Sequence, residues 1–307
     1  MKKIKNNTNI NINYVKGTPY FCQNKKAKTY PFLNNNIDTD ILIIGGGIVG
    51  AITNFYLSKK YDVTLVDKSK FGYCCTSCAT VLLEYQLDDY AENLEKIMSD
   101  QEIVDVYKMG LGCIDKIEKF IKEFGNKCEF SKRPSFLYTN KKSGIEALKK
   151  EYLFRIKHEL DAKFISQTSN PFPFPIKAGL YCKNGGAEFN PYLFAVQMLE
   201  NSKNQDKMFE NTEIISVIEK NDSFIAITNL NQKINCKKII FATGYNFELL
   251  TDIKLCERTI SYSIVTNPLQ IELPNNCLIQ DDEYPITIYV CYLIIVLFLE
   301  EKTLYIK

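Results

Sequence analysis

Apolar residues along the chain fall into two rhythms. Ile41 to Ile44 is an unbroken apolar run ahead of a glycine cluster, the pattern of a strand covered on both faces in a parallel sheet. Ile48 to Lys60 then repeats apolar residues at helical spacing (Ile48, Ala51, Ile52, Phe55, Tyr56), and Val63 to Val66 is a second apolar run. The spacing predicts a complete strand, helix, strand unit. Further on, 88–124 carries Ile103, Val106, Met109, Leu111, Ile114, Ile117 and Ile121 at mixed three and four spacing, which predicts two helices. Strand is predicted over Cys128 to Tyr138, helix over Ser143 to Leu160, and a loop through the prolines of 170–175. Ala178 to Phe189 reads as strand and turn, Pro191 to Glu200 as a helix with proline at its first position, and Ile214 to Tyr245 as short strands. Residues 1–36, rich in Asn and Lys with scattered aromatics (Tyr20, Phe21, Tyr30, Phe32), are expected to dock as an extension with no core of their own.

Composition narrows the function. At 307 residues, 46% hydrophobic and 24% charged, the chain is one large globular domain or two, and disorder and collagen-like structure are excluded. A formal charge of +2, from 38 Lys+Arg against 36 Asp+Glu, gives no global field for gripping nucleic acid, so a small-molecule partner is expected. Eleven cysteines, odd in number and scattered, fit a reducing cytoplasm better than a disulfide framework. The basic start, Met1 to Lys5, leads into polar Asn-rich sequence, which is not a secretory signal. Ile286 to Leu299 is mostly apolar but short of the roughly 20 residues that span a bilayer, so membrane insertion is not expected.

The sharpest local signal is Gly45-Gly46-Gly47-Ile48-Val49-Gly50, a G-x-G-x-x-G set between the buried strand and the amphipathic helix. Gly45 permits the tight turn, Gly47 lets a pyrophosphate approach the backbone, and Gly50 lets the helix close on the strand. The helix N-terminus then offers free N–H groups and a positive dipole end. Asp67 ends the second strand, where an acidic side chain can accept both ribose hydroxyls of an adenosine. A glycine-rich turn in an unrelated fold explains one of these features but not their conjunction. An acid at this position argues against a 2′-phosphate, so NADP is not expected, and NAD and FAD both remain open.

Further segments accompany the fingerprint. Gly72-Tyr73-Cys74-Cys75-Thr76-Ser77-Cys78-Ala79-Thr80 is a small-residue loop directly after the second strand, continued by Leu82 to Gln86. Gly185-Gly186-Ala187-Glu188-Phe189-Asn190-Pro191 leads into a helix, Ile214 opens the later strands, and these end in Ala242-Thr243-Gly244-Tyr245. With these residues, from about Asp38 to about Asp282, the chain resembles the FAD-dependent oxidoreductases of the D-amino-acid oxidase type, the family of glycine oxidase, sarcosine oxidase and glycerol-3-phosphate dehydrogenase. The resemblance implies FAD as cofactor and an α/β fold: a Rossmann-like FAD-binding domain with a smaller, mainly antiparallel α+β substrate domain. It implies that Gly45, Gly46, Gly47, Ile48, Val49, Gly50, Asp67, Lys68, Thr76, Ser77, Cys78, Ala79, Thr80, Ile214, Ala242, Thr243 and Gly244 contact the cofactor. The expected division is 1–36 as extension, 37–125 with 185–250 as FAD-binding domain, 126–184 with 251–285 as substrate domain, and 286–307 as an atypical apolar tail.

The implied activity is oxidation of an amino acid, amine or hydroxy compound by hydride transfer to flavin. No second G-x-G-x-x-G follows, which disfavours the reductases that bind two dinucleotides. The resemblance implies that an essential base is not always required, and no catalytic residue is assigned. Arg258 is a candidate partner for a substrate carboxylate, set against the ordinary fate of an Arg in a structural ion pair. Cys75-Thr76-Ser77-Cys78 invites comparison with a redox dithiol or half a zinc site. His158 is the sole histidine and no second cysteine pair lies at zinc-finger distance, so a metal is not expected and small residues packed against a cofactor explain the motif. His158 itself is expected on a solvated helix face. The segment after Asp281-Asp282-Glu283-Tyr284-Pro285 runs to Lys307 without glycine, so the family's third flavin segment is not found and the chain reads as C-terminally truncated or frame-altered. The alternative function is therefore a non-catalytic adenine-nucleotide-binding remnant.

Overall fold

The computed structural model describes residues 19–23, 25–80, 82–85, 87, 89–246, 260–265, 276–282, 288–289 and 296–302. In chain order the elements are β1 (Ile37–Ile44), α1 (Ile48–Leu57), β2 (Val63–Val66), β3 (Leu82–Glu84), α2 (Ala91–Leu94), α3 (Asp100–Phe124), β4 (Ser131–Thr139) and α4 (Gly144–Lys157). They continue as β5 (Lys163–Ser166), β6 (Ala178–Glu188), α5 (Pro191–Glu200), β7 (Met208–Phe209), β8 (Ile214–Lys220), β9 (Ser223–Thr228) and β10 (Lys233–Phe241). The last are β11 (Ile260–Val265), β12 (Leu278–Asp281), β13 (Ile288–Tyr289) and β14 (Val296–Lys302). The described residues divide into two compact units, Met1–Ala79 with Asn190–Cys256, and Thr80–Phe189 with Glu257–Lys307.

The first unit is built on a six-stranded sheet in the order β7-β2-β1-β10-β9-β8. β2, β1 and β10 run parallel, in register Ile44 with Val66 and Ile44 with Phe241, so β1 is central and its apolar run is buried on both faces. Leu42, Ile44 and Val66 pack with Ile214, Ala226, Ile234 and Cys236 into one cluster. Asn190 caps α5, its side chain accepting from the Leu193 N–H at 3.0 Å, and Pro191 occupies the first helical position, where no donor is lost. These elements form a Rossmann-like α/β unit, as the sequence pattern implies.

Residues 30–33 differ from expectation. Leu33 is buried in the same cluster as Leu42 and Ile44, its N–H donating to Thr212 Oγ1 at 3.0 Å, and Tyr30 is buried as well. The composition of 1–36 concealed this because one leucine and one tyrosine supply the anchor.

The second unit carries a sheet in the order β13-β12-β4-β6-β3, with β5 also pairing β6, mainly antiparallel except for β12 alongside β4. Residues 80–125, expected with the first domain, pack here instead. β3 pairs β6, and Tyr85, Ala91, Ile103, Val104 and Tyr107 share a core cluster with Phe154 and Leu160. A helical stripe shows that a face is buried but not against what, so periodicity could not make that assignment. α3 begins at Ser99 with a capping box closed by Glu102. β14, in the tail, pairs antiparallel with β11. Among the described residues no helix is long and apolar enough to cross a membrane.

Candidate functional site

The site is built where β1 stops. Gly45 donates to Val66 O at 2.8 Å, and Ala242 donates to Ile44 O at 2.8 Å, so β2 and β10 clamp the chain as it leaves the sheet. Gly45 sits at φ +107°, a conformation L side chains rarely adopt, and a Cβ there would strike the Ala242 carbonyl. A Cβ on Gly50 would strike the Gly45 carbonyl, which is the close helix-to-strand approach that the third glycine serves. Gly46 lies against the Phe71 ring. At Gly47 a Cβ would crowd Thr76 Oγ1, at 3.0 Å, and meet nothing else within 4 Å, so the remaining sides of this glycine are clear.

Gly47 is the N-cap of α1 and supplies no side-chain cap. The first intrahelical bond is Ala51 N–H to Gly47 O at 2.8 Å, and the Ile48 N–H donates to Thr76 Oγ1 at 2.9 Å. The N–H groups of Val49 and Gly50 therefore face out of the helix end, with no acidic side chain in the first turn and Val49 62% exposed. Oriented amides, the positive dipole end and a glycine whose missing Cβ leaves space match the requirements of a diphosphate.

Asp67 holds this turn together. Its Oδ2 accepts the Gly46 N–H at 2.7 Å and its Oδ1 the Ser69 N–H at 2.7 Å. A carboxylate has about four lone-pair sites, so two remain for ribose hydroxyls after this clamping. Lys68, beside it, is exposed. The loop that follows folds into a 3₁₀ turn over Cys74–Cys78, entered through Cys74 at φ 60°. Thr76 and Ser77 turn inward while Cys74, Cys75, Cys78 and Ala79 face out. Ser77 Oγ donates to Cys74 O at 2.9 Å and so serves the turn itself.

The other expected contacts divide. Ala242 is brought against the glycine turn, and Thr243 and Gly244 make a tight bend in which Thr243 Oγ1 donates to Asn246 O at 2.8 Å and Gly244 takes φ 60°. The Ile214 side chain is committed to the core, which leaves its backbone as the group able to meet a ligand. Thr80 opens the second unit. Arg258 lies outside the described residues. His158 terminates α4, close to the Phe154 ring and 3.4 Å from Asp100 Oδ2. It is therefore a half-buried cap residue and not the solvated helix-face residue expected, because the Phe154 ring and Asp100 cover it.

Glu210 escaped the sequence reading. It is buried, its Oε1 accepts the Phe71 N–H at 3.0 Å and its Oε2 the Tyr30 N–H at 3.2 Å, so it ties the N-terminal segment to the loop behind Gly46. A single acid at the end of a two-residue strand gives no pattern to find. Tyr192 stacks edge-on to Tyr73 with centroids 5.7 Å apart, and burial pushes its hydroxyl up to about 12.

Among its described residues the second unit holds a buried ion pair, Arg155 with Glu151, and a half-buried one, Arg133 with Glu188. Arg155 Nε donates to Glu151 Oε1 at 2.7 Å, and its Nη1 reaches Tyr85 Oη at 2.9 Å and Cys182 Sγ at 3.1 Å. Burial opposes the guanidinium charge, yet Tyr85, Cys182 and Glu151 together hold it above its ordinary value. Glu151 also accepts from the Ala91 N–H at 2.7 Å, which satisfies its second oxygen. Arg133 grips Glu188 through Oε1 alone, leaving the buried Oε2 without a hydrogen-bond partner among the described residues. Burial raises the Glu188 carboxyl above its ordinary value, against the lowering pull of Arg133.

Comparison with known proteins agrees with this geometry. The family described as FAD dependent oxidoreductase (DAO) matches residues 40–295, and the chain belongs to that family. Its cofactor is FAD, and its members are oxidases and dehydrogenases. A Bacillus subtilis (strain 168) protein, YhfW, described as a Rieske 2Fe-2S iron-sulfur protein, is 23% identical over 241 residues, covering 77% of this chain and 47% of that one. The chain thus spans about half the length of this curated relative. The FAD-bound L-α-glycerophosphate oxidase of Mycoplasma pneumoniae has the same fold, with a TM-score of 0.68 at 18% identity over 86% of this chain and 71% of that one. Glycine oxidase from Geobacillus kaustophilus gives 0.69 at 13% identity, covering 88% and 73%, and L-proline dehydrogenase from P. horikoshii gives 0.67 at 19% identity, covering 88% and 72%.

Proposed function

We propose that this chain oxidises an amino acid, amine or hydroxy compound, passing hydride from a C–H beside nitrogen or oxygen to bound FAD. The observation that carries the proposal is the cradle at the start of α1: Gly45 at positive φ, Gly47 with its open side, outward N–H groups at Val49 and Gly50, and Asp67 bracing the turn. FAD, when bound, supplies the acceptor for the hydride. The protein's own part is to hold the diphosphate on the α1 amides, to place the adenosine at the β2 end through Asp67 and the Ile214 backbone, and to close the β10 side with Ala242. The names of the similar structures point to small amino acids and a glycerol phosphate as the first substrates to try.

The test is anaerobic mixing of the FAD-loaded chain with glycine, L-proline and glycerol 3-phosphate while flavin absorbance is followed. Bleaching by one of these, or by a related amine or hydroxy acid, supports the proposal. FAD binding with no reduction across such a panel would instead favour a nucleotide-binding protein without oxidase chemistry.

A further inference from the structure

We propose that Cys75 and Cys78 form a reversible disulfide across the turn that carries Thr76, fixing the hydroxyl that meets the first amide of α1. The segment from Cys74 to Cys78 is 3₁₀ helix. In that geometry residues i and i+3 eclipse one another about 6 Å apart along the axis. A disulfide needs Cα atoms about 4.4–6.8 Å apart, so the turn accepts the bridge in the shape it already has. Both thiols are exposed, whereas Cys22, Cys128, Cys182, Cys236 and Cys277 are buried. Between them Thr76 and Ser77 point inward, so bridging the outer face leaves the Thr76 contact to Ile48 in place.

The neighbouring thiols are poorer partners. Cys74 is exposed but adjacent to Cys75 and off the eclipsed face, held at φ 60°. Cys22 is buried with its Sγ donating to Pro19 O at 3.4 Å.

The oxidant required is a low-molecular-weight disulfide. One cysteine, as thiolate, attacks oxidised glutathione and expels one glutathione thiolate, leaving a mixed disulfide. The other, its proton given to solvent, attacks that protein sulfur and expels the second glutathione. The two cysteines lose two electrons and two protons, and one glutathione disulfide becomes two glutathione thiols. A bridged turn removes freedom from Thr76 before cofactor binds, so the oxidised protein holds FAD more tightly. This last consequence rests on the cradle proposed above, but the cross-link itself does not.

The test equilibrates the full chain in glutathione buffers of graded redox ratio, traps free thiols by alkylation and maps peptides by mass. The expected result is one cross-link, two hydrogens lighter than the dithiol, that persists in Cys74→Ser and in the control Cys113→Ala and vanishes in Cys75→Ser and in Cys78→Ser. FAD titration of oxidised against reduced protein is expected to show binding tighter by about fivefold, the worth of one ordered hydrogen bond. No cross-link at any ratio, or the same cross-link in Cys75→Ser, overturns the proposal whether or not FAD binds. A cross-link with unchanged FAD affinity overturns the link to Thr76.

Discussion

The carboxylate of Asp67 accepts the N–H of Gly46 at 2.7 Å, so the acid at the end of β2 braces the glycine turn from within the protein. A residue of this kind is ordinarily read as a ribose ligand. Here it acts on the glycine turn itself, and its second oxygen extends the brace to Ser69.

Asp67→Ala is accordingly expected to damage both fold and cofactor binding. Loss of charge-assisted bonds to two backbone amides costs roughly 1–3 kcal/mol of stability, and FAD affinity falls by about tenfold or more. Asp67→Asn keeps an acceptor oxygen and is expected to fall between. Urea unfolding and FAD titration measure the two effects, and wild-type values for both in Asp67→Ala would contradict the bracing role.

The glycines are expected to separate. Gly50→Ala drives a methyl into the Gly45 carbonyl and should destabilise the chain by about 1–3 kcal/mol through overpacking. Gly47→Ala crowds only the Thr76 hydroxyl, at 3.0 Å, which a small side-chain shift relieves, so it should cost less stability than Gly50→Ala while losing FAD affinity. Thermal melts and FAD titrations of the two variants check this, and the reverse ordering would contradict the assignment of Gly47 to the ligand side.

Legibility followed the range of the interactions. β1, α1 and β2 could be read because a buried parallel strand and an amphipathic helix write their periods locally, and the glycine turn between them has a spacing set by backbone geometry. The capped starts of α3 at Ser99 and α5 at Asn190 are similarly local. What could not be read was partnership. Leu33 bonding to Thr212, and Glu210 linking Tyr30 to Phe71, span well over a hundred residues with no repeating pattern. Residues 80–125 went to the wrong unit for the same reason. β3, β5 and β7 are too short to show alternation, and they exist because β6 and β2 offer them free edges.

In the second unit the Arg155 and Glu151 pair is expected to be costly to break. Arg155→Met strands a buried carboxylate, with an expected loss of about 3–5 kcal/mol. Replacing both, as Glu151→Leu with Arg155→Met, should recover part of that loss because no charge is left unpaired. Urea denaturation of the single and double variants gives the comparison, and equal stability of wild type and Arg155→Met would contradict it.

The buried thiols set a pH dependence. Burial pushes Cys128 and Cys236 from 9.0 up to about 11. Because the folded value lies above the unfolded one, their contribution is fully present below pH 9.0 and is lost as pH climbs toward about 11. Cys236→Ala should therefore show a shallower fall in stability between about pH 8 and about pH 10.5 than wild type. An unchanged slope would show that this thiol ionises as readily in the fold as outside it.

The central claim is that the turn from Gly45 to Gly50, braced by Asp67, holds the diphosphate of FAD, and the visible spectrum of the purified chain after saturation with FAD and gel filtration tests it most directly. Near-stoichiometric flavin absorbance in wild type, strongly reduced in a folded Gly47→Ala chain, is the expected result. A folded wild-type protein that emerges colourless, or a Gly47→Ala protein as yellow as wild type, would contradict it.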